Sequence, residues 1–415
     1  MSSGYGAKQA STTLDTRLSE LRTYLVEPDM HNWMEILELF EHWPQESREV
    51  GMGYALEHLC EWPDELRCYP HYELSELVSQ KPDWPVFRLA TSLSLSELEE
   101  SENVAEEIAK FEGFAHLKNL ELRGLYIGED GCKNLAQSPN LSNLKRLDLS
   151  YNHIGIRGIL ELAESPYLSN LEELELSHNM IRDRGATRLF SSGVCPKLKY
   201  LDISHNEIGN RGIASLASSE YLKHLEYLDL SHNQIGPLGG EWLSTSTALP
   251  HLKELWLNHN QLGSSGACSL AQSEHFQQLE IICLQNNDIE DLTSLLACEG
   301  KHKTGWLRFD LSNNRLGNNG ASAIANSRFF QELKALNLSN NNIDDLGARA
   351  IARSEYLSNL RALGLSFNQI RSAGSIAIAR SKRLSKLKSL DLRGNPVGNR
   401  GQKALLFSGH AVYSG

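Results

Sequence analysis

From Leu117 onward the apolar residues recur in one arrangement: Leu-x-x-Leu-x-Leu, an Asn three positions further on, and then a second apolar cluster. The anchors are Leu117, Leu144, Leu171, Leu198, Leu225, Leu252, Leu279, Trp306, Leu333, Leu360 and Leu387, so the period is 27 residues through eleven units. Strict alternation in the first half of each unit predicts a short strand, with residues such as Leu144, Leu147 and Leu149 pointing to one side. Asn152 and its equivalents mark the turn, where a side-chain amide can serve backbone groups that have left the strand. The second half, typified by GIRGILELAES, sets a Gly before Leu and Ala at helical spacing and predicts a returning helix. Ten units carry the Asn, with Leu125 in its place in the first. Ten keep the Gly (Gly131, Gly158, Gly185, Gly212, Gly239, Gly266, Gly320, Gly347, Gly374 and Gly401), and Thr293 interrupts the series.

A single unit of this kind cannot bury its own apolar side, so neighbours must stack, with parallel strands on one side and helices on the other. Because helices are wider than the roughly 4.8 Å strand spacing, the sheet is expected to be concave. The expected class is therefore α/β, a leucine-rich-repeat solenoid in a horseshoe arc. It resembles the ribonuclease-inhibitor-like subclass of leucine-rich-repeat proteins, through the helix-length second half and the G-x-x-G-A-x-x-L-A signature, over about residues 90 to 415. That resemblance implies a protein that grips other proteins along the concave face and loop rims, in a subclass that includes inhibitors and a GTPase-activating family. The uniform 27-residue period looks more like the bacterial members.

One period before Leu117 lies a degenerate repeat, with Leu93 and Leu95 at strand positions, Val104, Ile108 and Ala109 at helix positions, and Leu98 in place of the Asn. Ahead of it the patterning turns helical, in TTLDTRLSELRTYL, MHNWMEILELFEHW, REVGMGYALEHLCEW and HYELSELVSQ. Trp-Pro steps at Trp43-Pro44, Trp62-Pro63 and Trp84-Pro85 punctuate the helices; proline ends each one, and the Trp is expected to pack beneath the next. The expected organisation is a disordered segment 1–11, a helical cap domain 12–86 covering the apolar edge of the first repeat, a degenerate capping repeat 87–116, and eleven repeats over 117–415. Past the last strand, Phe407, Val412 and Tyr413 either fold back as a small cap or leave an open edge at residues 387–392, which invites pairing. A monomer or a weak homodimer through that edge is expected.

Composition narrows the function. A formal charge of -12 and a pI near 5.7 give no general attraction for nucleic acid or anionic membranes. MSSGYGAKQASTT has no secretory pattern and no stretch is apolar enough to span a membrane, so a cytoplasmic, bacterial protein is expected. Cys60, Cys68, Cys132, Cys195, Cys268, Cys283 and Cys298 form an odd, scattered set that suits buried thiols in a reducing compartment.

The residues between the inward leucines form columns across the concave sheet. One column reads Asn119, Arg146, Glu173, Tyr200, Tyr227, Glu254, Ile281 and Arg308, and the next Glu121, Asp148, Glu175, Asp202, Asp229, Trp256, Cys283 and Asp310. Carboxylates stacked about 5 Å apart repel one another unless a cationic partner relieves them, while the adjacent Tyr200, Tyr227 and Trp256 are the residue types of interaction hot spots. Glu175, Tyr200, Asp202, Tyr227, Asp229, Glu254 and Trp256 are thus the expected contact centre for a protein partner with a basic surface. His178, His205, His232 and His259 form a further column as its rim. Four such imidazoles suggest titration near pH 6, with affinity changing below about pH 6.5; parallel strands would hold the rings side by side, against a metal site. An Asp in LDLS is also a common repeat filler. In the seventh unit Thr293, Cys298 and the segment CEGKHKTGW break the pattern, as a partner-contacting loop or as a tolerated defect.

No phosphate loop, nucleophile elbow or H-E-x-x-H motif is present. A Cys283 and His259 pair has no pocket to work in. No catalytic residue, cofactor or metal is expected, and the reading is a non-catalytic interaction module. GTPase activation or other enzyme regulation is the alternative, and a structural spacer or self-associating module the third.

Overall fold

A computed structural model describes residues 3–69, 84–95, 103–276, 278–294, 305–409 and 411–413. Two compact units emerge: Met1–Ile154 with Glu164–Glu175, and Gly155–Ala163 with Leu176–Gly415. The calls on HYELSELVSQ, Leu98, Cys298 and most of CEGKHKTGW fall outside the described residues.

The first unit opens with helices Ser3–Tyr24, Met30–Glu41 and Arg48–Leu59. The first of these begins inside the segment expected to be disordered. Trp43 stacks on Phe40 at 4.8 Å and lies so close beneath the third helix that a Cβ at Gly51 would collide with its ring, as the Trp-Pro pattern implied. Four short parallel strands follow in chain order: β1 (Ser92–Ser94), β2 (Asn119–Glu121), β3 (Arg146–Asp148) and β4 (Glu173–Glu175). β1 is the degenerate repeat, with Leu93 and Leu95 buried and Val104, Ile108 and Ala109 buried on helix Val104–Lys110. The helical segment meets its outer edge directly. Cys68 bridges to Ser92, the Tyr69 amide donates to the Ser92 carbonyl at 2.8 Å, and the buried Arg67 guanidinium donates to the Leu89 carbonyl.

In the second unit, β5 (Tyr200–Asp202), β6 (Tyr227–Asp229), β7 (Glu254–Trp256), β8 (Ile281–Cys283), β9 (Arg308–Asp310), β10 (Ala335–Asn337), β11 (Ala362–Gly364), β12 (Ser389–Asp391) and β13 (Ala411–Tyr413) pair in parallel, each with the next. β13 lies along β12 with Val412 opposite Leu390, so the tail occupies the edge on which homodimerisation was expected. Helices of eight to ten residues return between strands; none is described in the seventh unit, where Asp291 accepts from the Thr293 amide at 2.7 Å and from its hydroxyl at 2.8 Å.

The core is the column of inward leucines: Leu201, Leu228, Leu255, Leu363 and Leu390 are at most 2% exposed. Burying a leucine contributes about 1.5–3 kcal/mol, which each repeat realises only when a neighbour covers it. Polar ladders tie the repeats together. The Asn206 Oδ1 accepts from the Asn179 and Ile181 amides at 2.9 and 3.3 Å, and its Nδ2 donates to the Leu176 and Ser204 carbonyls, both at 2.8 Å. Each such Asn therefore completes the turn of the repeat before it. A second ladder runs forward. Asp183 Oδ1 accepts from the Gly209 and Gly212 amides at 2.7 and 2.9 Å, and Asn210, Asn318 and Asp345 do the same one repeat on. This close approach explains the helical glycine: a Cβ at Gly212 would lie 2.6 Å from Ile208 Cγ2 and 3.1 Å from Asp183 Oδ1. A third ladder joins Ser219, Ser246, Ser354 and Ser381 hydroxyls to helix-end carbonyls of the preceding repeat.

Candidate protein-binding face

The helix-free side of the sheet is built from the residues that alternate with the core leucines, and their surroundings sort them into structural and available groups. The Asp column is partly structural. Asp202 Oδ1 accepts from the Ser204 amide at 2.9 Å and Asp229 Oδ1 from the Ser231 amide at 2.7 Å; Asp148 and Asp310 repeat this bond. The carboxylate thereby turns the chain at the strand exit, which is why LDLS recurs. Burial pushes the Asp229 carboxyl up to about 6, with the neighbouring Asp202 adding to the shift and the bonds to Ser231 opposing it.

In the first unit the acidic ladder is relieved from within. Arg146 lies 2.9 Å from Glu175, 3.6 Å from Glu121 and 3.7 Å from Glu173. The expectation that these carboxylates await a cationic partner is corrected by that guanidinium, which reaches Glu121 and Glu175 from the neighbouring column. Glu175 is thus engaged inside the first unit, whereas the other ten expected contact residues belong to the second.

There, β5 to β7 bring aromatic rings together. Tyr200 and Tyr227 stack at 4.1 Å with an interplanar angle of 7°, and Trp256 follows at 6.4 Å from Tyr227. All three are half-buried. Burial, reinforced by the Asp229 charge, pushes the Tyr227 phenol well above its ordinary value. Glu254 accepts from Trp256 Nε1 at 3.4 Å, and the Arg308 guanidinium lies 5.8 Å from the Trp256 ring, a cation–π arrangement. The patch therefore offers flat apolar rings beside Asp202, Asp229 and Glu254.

The His column stands at the strand exits in left-handed backbone: His178, His205, His232 and His259 have φ of 54–58°, as do Asn286, Asn313 and Asn340 in later repeats. Asn and His tolerate this conformation better than most residues, so the backbone selects the residue type here. The four rings stack face to face at 3.8, 3.8 and 3.9 Å, and Asn286 Nδ2 contacts His259 Nδ1 at 2.9 Å. Rings stacked this closely cannot all be charged. Burial, followed by His178, His232 and His259, lowers His205 to about 4, and His232 is lowered by burial and by His259. Joint titration near pH 6 is thereby corrected: His205 stays neutral well below that pH, and His232 is lowered in the same direction. The rings do not converge, and among the described residues no group of three or more His, Cys, Asp or Glu is placed to hold a metal ion.

Cys283 is 1% exposed, and burial, with Asp310 next, pushes its thiol up to about 12. A thiol so far from ionisation is a poor nucleophile. Among the described residues no helix is long and apolar enough to cross a membrane.

Sequence reasoning missed the Ser ladder and the forward Asp/Asn caps, whose signal is an oxygen-bearing side chain recurring at the 27-residue period. It also read the Asp column as charge for a partner or as a repeat filler, and not as the acceptor of the Ser amide two residues on.

Comparisons with known proteins agree with this architecture. The family model described as leucine-rich repeats in two copies matches residues 223–266, and the single-repeat model matches 140–163, 167–190, 194–217, 306–325, 331–352, 356–379 and 383–406. No curated protein matches the sequence. Among solved structures, a leucine-rich-repeat protein of Leptospira interrogans is 20% identical, with 79% of this chain and 86% of that one covered, at a TM-score of 0.51. An internalin of Listeria monocytogenes is 18% identical, with 80% and 82% covered, at a TM-score of 0.44.

Proposed function

Starting from a chain built of leucine-rich repeats, a construction generally used in protein-interaction modules, we propose that it binds a protein partner on the helix-free face over β5–β7. The observation that carries this is the Tyr200–Tyr227 stack with Trp256 beside it, three rings left half-open to solvent on a folded sheet. Large rings held rigid by stacking present apolar area at little entropic cost. Asp202, Asp229 and Glu254 make the patch acidic, which suits a partner with a basic surface; His178, His205, His232 and His259 form a rim of stacked rings. Glu175, already engaged by Arg146, drops out of the contact set. Helices of eight to ten residues support placing the chain in the ribonuclease-inhibitor-like subclass. The six described cysteines are all free thiols, which supports a reducing, cytoplasmic setting.

The test is parallel capture from the native cell extract with wild type, Tyr227→Ala/Trp256→Ala, and a control altered on the helical side at Arg349→Ala. A band retained by wild type and the control but lost with the double variant is expected. Equal capture by all three would place binding elsewhere.

A further inference from the structure

The total charge of -12 is unevenly distributed. Residues 27–66 carry eleven Asp and Glu against one Arg, a net -10, whereas residues 326–405 carry fourteen Lys and Arg against five Asp and Glu, a net +9. Each stretch is accompanied by apolar side chains that the core does not use. Met30 and Met34 are 47% and 43% exposed, and Leu406 and Phe407 are 81% and 90% exposed.

Helical geometry places charge and apolar surface on one face in both stretches. In the helix Met30–Glu41, Trp33, Ile36, Leu37 and Phe40 are buried. Met30, Met34, Glu38 and Glu41 recur at helical spacing away from them and are all exposed, with His31 alongside. This face is apolar in its first half and acidic in its second. In the helix Gly398–Leu406, Gly401 and Leu405 are buried, and a Cβ at Gly401 would collide with Ser375 of the preceding repeat. Arg400, Lys403 and Phe407 recur at helical spacing on the opposite side, with Leu406 alongside, and all four are exposed. Here the first half is basic and the second apolar. Among the described residues Glu38, Glu41, Arg400 and Lys403 form no ion pair, unlike Glu49 with Arg88 and Arg393 with Asp391, each at 2.7 Å.

We propose that these two faces are the halves of one interface between copies of this chain, with the helix Met30–Glu41 of one copy antiparallel to the helix Gly398–Leu406 of the next. That alignment brings Met30 and Met34 onto Leu406 and Phe407, and Glu38 and Glu41 onto Arg400 and Lys403. A parallel alignment would oppose Met to cation and Glu to ring. At a rise of about 1.5 Å per residue, the apolar and charged centres lie about 11 Å apart on the first face and about 7.5 Å apart on the second. The long Glu, Arg and Lys side chains span the difference. A membrane or a nucleic acid would engage the basic face alone and leave the Met and Glu face unmatched. Because the two halves are unlike, each bound copy keeps one of them free, so association adds copies and does not stop at two. One helix against one helix is a small interface, of the kind that is weak and transient. It does not depend on the β5–β7 patch.

The test is light scattering and sedimentation of the full chain at pH 8 and low salt, from micromolar to millimolar protein. The mean mass should rise with concentration past that of a dimer, and high salt, which screens exposed charges, should lower it. Glu38→Lys/Glu41→Lys and Arg400→Glu/Lys403→Glu should each weaken association at least about tenfold, since like charges then face each other. A mixture of these two variants should associate, and all four substitutions in one chain should restore self-association, because each contact again joins opposite signs. Leu406→Ser/Phe407→Ser should also weaken it, whereas Tyr227→Ala/Trp256→Ala should leave it unchanged. A monomer at every concentration, a mass that stops at the dimer, or a failure of the fourfold variant and of the mixture to associate would overturn the proposal. Association that survives high salt and both charge reversals, as strand pairing along β13 would, overturns it as well.

Discussion

Replacing Asn206 by Ala should cost more stability than any exposed substitution on this face, and the structure says where the loss falls. Asn206 is fully buried and its side chain makes four hydrogen bonds. Two of its partners are carbonyls with other donors: Leu176 O also receives Asn179 Nδ2 at 3.0 Å, and Ser204 O the His178 amide at 3.2 Å. The Asn179 and Ile181 amides, at 2.9 and 3.3 Å, would lose Asn206 Oδ1 as their acceptor. Two buried donors left unmet cost about 1–3 kcal/mol each, so the expected destabilisation is about 2–6 kcal/mol. Urea unfolding followed by circular dichroism reads the total. Because a repeat array need not unfold in one step, amide exchange at Asn179 and Ile181 supplies the local reading, and both should exchange faster than in wild type. A loss below about 1 kcal/mol, or unchanged protection at those two amides, would refute the view that this side chain sustains the preceding turn.

Gly212→Ala should destabilise the protein by about 1–3 kcal/mol despite alanine's better helix propensity, because its Cβ would meet Ile208 Cγ2 at 2.6 Å; a raised melting temperature would contradict the packing argument. His205, lowered to about 4, should titrate far below 6.5 by NMR. Since its folded value lies under its unfolded one, its contribution to stability is present above pH 6.5 and is lost as pH falls toward 4. Ordinary titration of His205 near 6.5 would show that the rings do not stack in solution.

The fold was legible because strand, turn and helix each left a periodic mark: Leu144, Leu147 and Leu149 are buried as the alternation required, and the degenerate repeat was found one period before Leu117. The site was less legible, because a column of residue types does not show which atoms are already occupied. Arg146 stands beside Glu121, Glu173 and Glu175 only once the strands are in register. Similarly, the recurrent His looked like chemistry until its φ showed a backbone preference.

The Asn ladder also imposes an order of events during synthesis. Asn206 serves the Asn179 and Ile181 amides, Asn233 the Asn206 and Ile208 amides, and Asn314 the Asn287 and Ile289 amides. The turn of a nascent repeat therefore lacks its acceptor until the following Asn, 27 residues later, has left the ribosome. Folding must trail translation by at least one unit, and the newest turn on a growing chain is always the incomplete one, the natural point for a chaperone or protease to engage.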